Sequence, residues 1–303
     1  MKVRYDPGDD PARAAELARS SDAAVVVAAD STSEGADKPC MGLGCGSHDG
    51  LDRDGLIEQV AQANPHTVVV LETAGPVLTP WRGGVAALVE AWYPGVEGGS
   101  AIARVLFGDA EPGGRLPVTF PRQEADEPYA GDPEAYPGVA ERVVYKEGVL
   151  GGYRWFDERG IAPAFPFGHG LSYTRFRYRG LRVRPLARGG ARVSVRVTNT
   201  GRRAGSEVAQ LYLGKPDPGA GIVQPPRWLR GFRKLRLAPG QTRTFRFGLR
   251  PRDFAYWSTA ANAWTVAPGC YRVIVGRSSR DIRLRGGLWR GVRSPAAARC
   301  VSR

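Results

Sequence analysis

The chain has 303 residues, 42% of them hydrophobic and 24% charged, with a formal net charge of +13. That length accommodates two ordinary domains, and the composition is globular, which excludes a disordered or collagen-like chain. No apolar run reaches membrane-spanning length and no charged-then-apolar leader opens the sequence, so neither a membrane span nor a signal peptide is expected within it.

Apolar spacing at Ala14, Ala15, Leu17 and Ala18 predicts a helix over 11–20. The continuous apolar run 23–29 predicts a short strand buried on both faces of a parallel sheet. A turn-rich loop follows, Ser31-Thr32-Ser33-Glu34-Gly35-Ala36-Asp37-Lys38-Pro39. A second helix is expected over 51–64, with Leu56, Ile57, Val60 and Ala61 on one face and Asn64-Pro65 as its stop. Residues 67–71 and 85–92 read as further strands, 97–107 as a helix and 116–120 as a terminal strand. Strands and helices in alternation with short connections predict an open, parallel-rich α/β sheet with right-handed crossovers.

Residues 123–172 are irregular but dense in aromatics, which argues against disorder and for an arm packed on a neighbouring surface. From Phe176 the hydrophobic period becomes two. Runs at 191–197, 208–213, 229–237, 242–247, 264–266, 270–275 and 282–284, separated by turn signals, predict an all-β, immunoglobulin-like antiparallel sandwich.

The net charge conceals a division. Residues 1–172 carry 14 Lys+Arg against 26 Asp+Glu, whereas 173–303 carry 29 against 4. This supports a domain boundary near 173, and opposite fields favour docking of acidic onto basic parts or attraction of the basic part to a polyanion. No nucleic-acid-binding module is present, so a solvated basic surface is the expectation and nucleic acid is not an expected partner. Of the four cysteines, Cys40 and Cys45 bracket a Gly-rich loop that a disulfide would staple, which would imply an oxidising compartment. Cys270 reads either as a buried thiol or as a partner of Cys300. The spacing fits no zinc half-sites, His48 does not complete a set, and no metal or cofactor is expected.

Several motifs are specific in this order and spacing. The stretch Glu34-Gly35-Ala36-Asp37-Lys38 resembles an acidic loop of glycoside hydrolase family 3, the β-glucosidase and β-xylosidase family. Ala91-Trp92-Tyr93-Pro94-Gly95 with Gly98-Gly99 is similar to its sheet-to-helix turn, and Gly113-Gly114-Arg115-Leu116-Pro117-Val118-Thr119-Phe120-Pro121 to the end of its second domain. Gly152-Tyr153-Arg154-Trp155-Phe156 and Phe165-Pro166-Phe167-Gly168-His169-Gly170-Leu171-Ser172-Tyr173-Thr174 resemble its connector, and Ser278-Ser279-Arg280-Asp281-Ile282 the end of its fibronectin type III-like domain. The resemblance implies an α/β sandwich domain over 1–122, its aromatic connector over 123–172, a fibronectin type III-like domain over 173–288 and a tail over 289–303. The family's leading β/α barrel, which bears the nucleophilic Asp, has no counterpart here, and the resemblance implies that it is supplied upstream or in trans.

The resemblance places Glu34 in the role of acid/base residue. A carboxylate at the C-terminal lip of a buried α/β strand stands where such folds place ligands. A retaining glycosidase needs its two carboxyl groups about 5–5.5 Å apart, and the acid must hold its proton near neutral pH, which requires an enclosing cleft. Without a barrel Glu34 is expected to stay solvated. Asp37 and Lys38 are candidate contacts for sugar hydroxyls, or they lock the loop through an ion pair. His169, between two glycines, reads as a structural imidazole. Tyr153, Trp155 and Phe156 read as packing rather than a sugar platform, and Asp49, Asp52 and Asp54 as a solvated helix start. The expected function is that of one portion of a β-glucosidase- or β-xylosidase-like hydrolase acting on β-linked glucosides or xylosides, inactive alone, in an extracellular or periplasmic rather than cytoplasmic setting. The alternatives are a non-catalytic carbohydrate-binding or cell-surface module, or an inactive fragment.

Overall fold

A computed structural model describes residues 2–300 other than 36, 48, 217–221 and 293–299. His48 and most of the 289–303 tail therefore lie outside the described residues. The chain divides into two compact units: residues 1–107, 120–131 and 162–164, and residues 108–119, 132–161 and 165–303. No described helix is long and apolar enough to cross a membrane.

The first unit runs α1 (Pro11–Arg19), β1 (Ala24–Ala29), α2 (Arg53–Ala63), β2 (Thr67–Glu72), β3 (Ala87–Glu90) and α3 (Gly98–Leu106). Asp10 caps α1 by accepting from the amides of Ala12 and Arg13, and Asp52 caps α2 by accepting from that of Gly55. The strands form a parallel sheet in the order β1-β2-β3, with Val26 opposite Val69 and Val69 opposite Leu88. Helix α2 packs on α1 and on the sheet, burying Ile57 and Val60.

Two expectations are corrected here. Strand β1 is not buried on both faces: Val26 and Ala28 are buried, but Val25 and Val27 are 53% and 56% exposed. As an edge strand it has one neighbour, and the face carrying these valines is left open. Residues 116–120 form no strand. Pro117 has no N–H to give a ladder, and the segment instead bends at Pro117 and Val118, with the Leu116 amide donating to His169 O at 2.8 Å and its carbonyl accepting from Gly168 N at 2.7 Å.

The second unit is a two-sheet antiparallel sandwich preceded by a short helix, α4 (Tyr153–Arg159). This helix falls within the stretch expected to be irregular: Gly152 (φ 64°) and Gly160 (φ 67°) bracket it, and the left-handed glycine at its C-terminus supplies the stop. The strands are β4 (Phe176–Pro185), β5 (Ala191–Asn199), β6 (Gly205–Gly214), β7 (Trp228–Leu237), β8 (Thr242–Leu249), β9 (Tyr256–Ser258), β10 (Ala263–Thr265), β11 (Gly269–Gly276) and β12 (Ile282–Arg290). One sheet has the order β12-β11-β6-β7 and the other β4-β5-β8, while β9 and β10 form a separate hairpin. The period-two pattern puts Val193, Val195 and Val197 of β5 against Leu211, Phe245 and Val273 in one core, all fully buried. Burial of each such side chain stabilises by roughly 1.5–3 kcal/mol. Cys270 is paired with Cys300, and in the first unit Cys40 with Cys45.

One acidic side chain from before residue 173 meets two arginines of the sandwich inside this unit. Asp157 of α4 is buried between Arg227, at 2.6 Å, and Arg280, at 2.9 Å. Tyr153 stacks on Phe167 and meets Tyr212 edge-on, so the aromatic arm does pack on the sandwich. Gly168 (φ 81°) lies so close to Gln210 that a Cβ would fall 2.3 Å from Oε1, which restricts the position to glycine. The Gln210 amide donates to the carbonyls of Gly168 and Arg277. Burial pulls the His169 imidazole below its ordinary pKa, with Arg115 and Arg277 adding to the effect.

Glu207 of β6 is fully buried between Arg115 and Arg277, each at 3.2 Å. Burial raises its carboxyl pKa and the two guanidinium groups oppose that shift. Glu207→Ala leaves the buried Arg115 guanidinium without a counter-charge and Arg277 with Asp281 alone, at 3.9 Å, and is expected to cost about 3–5 kcal/mol, measured by urea denaturation. A loss near zero would show that the cluster relaxes into water. The open face of β1 predicts a second outcome: Val25→Thr with Val27→Thr retains β-branching, so thermal stability should change little while binding of an apolar fluorescent dye falls. Unchanged dye binding would place the exposed apolar surface elsewhere.

Candidate functional site

The C-terminal ends of the three parallel strands gather polar groups in the first unit. Asp30 directly follows β1 and is buried, with 2% of its side chain exposed. Its Oδ1 accepts from the Ala74 amide at 3.1 Å, just beyond β2, and from the Tyr93 hydroxyl at 2.8 Å, just beyond β3. Its Oδ2 accepts from Lys38 Nζ at 3.2 Å. A buried carboxylate needs such donors, and those carrying charge are the strongest. Tyr93 Oη lies 2.8 Å from Thr32 Oγ1. Asp30 therefore holds the 31–39 loop at both ends, through Tyr93 and Thr32 on one side and Lys38 on the other.

Glu34 stands between these anchors. It is exposed, on a turn made with Gly35, whose φ of 80° suits glycine. Asp37 is exposed as well, and Lys38 is partly buried by its ion pair. Immediately downstream the Cys40–Cys45 disulfide closes a small ring, and Leu43 inside it is fully buried. The loop thus starts and ends on fixed points, and its acidic tip projects into solvent.

Beside Asp30, Glu90 ends β3. Burial pushes its carboxyl up to about 7, and the Asp30 charge works in the same direction. The Trp92 amide, donating to Oε1 at 2.8 Å, and the Thr73 hydroxyl, 3.3 Å from Oε2, oppose the shift. Trp92 has φ 56°, a left-handed conformation uncommon for a bulky residue, and this turns its N–H back onto Glu90 and ends the strand. Asp30, Glu90 and Tyr93 were not singled out from the sequence. The available signal was a charged residue at or near the C-terminal end of each apolar run. Asp49 and Asp52 serve the start of α2, through an ion pair with Arg53 and the helix cap, and Asp54 accepts from Trp81 Nε1 at 2.7 Å. Phe156 is buried and the Tyr153 hydroxyl accepts from the Leu229 amide, so the connector aromatics serve packing.

Comparison with known proteins is consistent with this arrangement. Residues 8–173 match the glycosyl hydrolase family 3 C-terminal domain, and residues 207–279 match the fibronectin type III-like domain. A β-glucosidase of Rhizobium radiobacter is 45% identical over 90% of this chain and 33% of its own length, and thermostable β-glucosidase B of Acetivibrio thermocellus is 41% identical over 90% and 35%. Among solved structures, the β-glucosidase DesR of Streptomyces venezuelae in complex with D-glucose superposes with a TM-score of 0.87 at 40% identity, covering 92% of this chain and 35% of that one. β-Glucosidase 3B of Thermotoga neapolitana in complex with α-D-glucose gives a TM-score of 0.84 at 34% identity, covering 96% and 41%. This chain thus spans between 33% and 41% of the length of these four relatives. An ordered match over more than half of the chain, on a parallel sheet followed by an antiparallel sandwich, shows that the chain belongs to glycosyl hydrolase family 3, as the C-terminal portion of such a protein.

Proposed function

We propose that this chain contributes the acid/base carboxylate, Glu34, to a β-glucosidase-type active site whose nucleophile lies on a β/α barrel outside this chain. The observation that carries this reading is the loop itself: a carboxylate held out to solvent, between anchors fixed by Asp30, at the C-terminal edge of a parallel sheet. The relatives' names support β-glucosides as substrates, with β-xylosides as the near alternative. Lys38 acts mainly as the loop lock, because Asp30 already engages its ammonium group, and Asp37 is the residue free to meet a sugar hydroxyl.

The chemistry accounts for the division of labour. Protonating the leaving oxygen calls for a carboxyl group whose pKa is raised by an enclosing, weakly solvated cleft. Glu34 gains such surroundings only when a barrel closes over the loop and brings a second carboxylate within about 5–5.5 Å. An anchored loop reduces the ordering that this encounter requires. The open apolar face of β1 supports the same reading, since a face of this kind calls for cover from polypeptide outside the described fold. Below about pH 7 a protonated Glu90 keeps a second buried charge away from Asp30 and so leaves the anchor intact.

The purified chain is expected not to cleave aryl β-glucosides. Co-expressed with the part of the Rhizobium radiobacter relative that this chain does not match, it should gain turnover, and Glu34→Gln should lower that turnover by about 10²–10⁴-fold. The loss should shrink for dinitrophenyl glucoside, whose leaving group needs little protonation. A loss equal for both substrates would remove Glu34 from the proton-donor role, and turnover by the chain alone that disappears in Glu34→Gln would remove the need for a barrel partner. A further outcome concerns pH. The folded state holds the Glu90 proton up to about 7, whereas the unfolded chain releases it near 4.5, the ordinary value. Stability contributed by this proton is complete below the lower value and is lost as pH rises through the upper one. Glu90→Gln should therefore raise the melting temperature at pH 8, with the gain vanishing near pH 4.5. A gain of the same size at both pH values would show that the effect is not titration.

A further inference from the structure

The β9–β10 hairpin presents two tryptophans to solvent. Trp257 and Trp264 are cross-strand partners, 46% and 47% exposed, with ring centroids 5.6 Å apart and planes inclined at 67°. Large apolar side chains in a soluble fold are normally covered, and two indoles together on one hairpin are a feature to be explained. The Arg252 guanidinium lies over one face of the Trp264 ring, 3.7 Å from its centroid, so the patch carries positive charge and a ligand meets Trp264 on its other face.

Further arginines share this end of the sandwich. Arg250 precedes the Pro251–Phe254 turn that leads into the hairpin and Arg252 lies within it, and both are exposed. The β4–β5 turn lies against the same segment, since a Cβ on Gly189 would stand 3.7 Å from Pro251 Cγ, and this brings exposed Arg188 alongside. Among the described residues no carboxylate forms an ion pair with Arg188 or Arg252. Four acids occur beyond residue 172. Glu207 is buried, Asp281 is paired with Arg283, and Asp253 is largely buried, accepting from the Arg250 amide at 2.7 Å and pairing with the Arg250 guanidinium at 3.8 Å. Asp217 lies outside the described residues.

We propose that this surface binds a uronate-bearing polysaccharide, with Trp257 and Trp264 stacking on pyranose faces and Arg188 and Arg252 pairing the uronate carboxylates. An indole face matches the C–H face of a pyranose, and a guanidinium group matches a carboxylate in two-point geometry. Successive sugars of a twisted glycan chain turn their faces, so two rings inclined to each other each meet one. The site is non-catalytic and lies on the second unit, whereas Glu34 belongs to the first. Binding does not depend on the catalytic reading, and either can fail without the other.

The test is calorimetric titration of the intact chain with polygalacturonate and with glucuronoxylan, using neutral xylan and duplex DNA as comparisons, at 50 and 200 mM NaCl. At least one of the two acidic glycans should bind, more tightly than neutral xylan and DNA, with affinity falling at the higher salt concentration. Trp257→Ala with Trp264→Ala should weaken that binding by about tenfold or more, close to 1.4 kcal/mol, and Arg188→Gln with Arg252→Gln should remove most of the salt dependence. Should the tryptophan variant lose its fold, quenching of tryptophan fluorescence in the unmodified chain by the acidic glycan provides the independent readout. Binding to neither acidic glycan, binding unchanged by the tryptophan substitutions, absence of quenching, or equal affinity for DNA would each overturn the proposal.

Discussion

The candidate site depends on one buried carboxylate. Asp30 sits where β1 ends and gathers a donor from beyond each of the other two strands together with the ammonium group of Lys38. Its burial makes these contacts obligatory, because a carboxylate removed from water is tolerated only when donors replace the lost hydration. The same contacts fix both ends of the Glu34 loop. A solvent-exposed acidic turn would otherwise sample many conformations, and a partner surface would have to order it at an entropic cost. The sheet thus positions a residue that makes no close contact with it.

Charge organises the second unit differently. The sandwich is rich in arginine, and the acids it meets, Asp157 from the connector and Glu207 from its own β6, are buried between pairs of guanidinium groups. Each acid fastens a segment that has little regular structure: Asp157 holds the short helix α4, and Glu207 holds the extended chain around Arg115. Buried ion pairs add little stability compared with apolar packing, but breaking one is costly. They select one arrangement of the connector over its alternatives. Most of the other described arginines face water, while Arg230 and Arg290 are partly buried, and the sandwich is strongly basic.

These two arrangements suit a chain that serves as part of a larger site. The first unit presents an exposed carboxylate and an open apolar strand face, while the second is closed around its own core and carries an exposed aromatic hairpin. A proton donor held on one polypeptide segment and a nucleophile on another confines the chemistry to the assembled cleft. The relatives' greater length is in keeping with that division.

Much of this was legible in the sequence because the signals are local. Apolar runs fixed β1 and β2, period-two alternation fixed the sandwich strands, and the Glu34-to-Lys38 motif marked the loop. Local pattern failed where the outcome depends on distant neighbours. The alternation of exposed Val25 and Val27 with buried Val26 cannot be read from a uniformly apolar run, since it depends on which face α2 covers. The pairing of Cys270 with Cys300 and the burial of Asp30 are tertiary facts of the same kind. The sequence by itself determined the two fold classes and the position of an acidic loop after β1, because side-chain periodicity and turn chemistry act over a few residues. Only the tertiary structure decided that Asp30 anchors that loop, that Glu90 holds its proton towards neutral pH, and that Trp257 and Trp264 share one exposed surface. Burial, desolvation and cross-strand register depend on residues far apart in the chain.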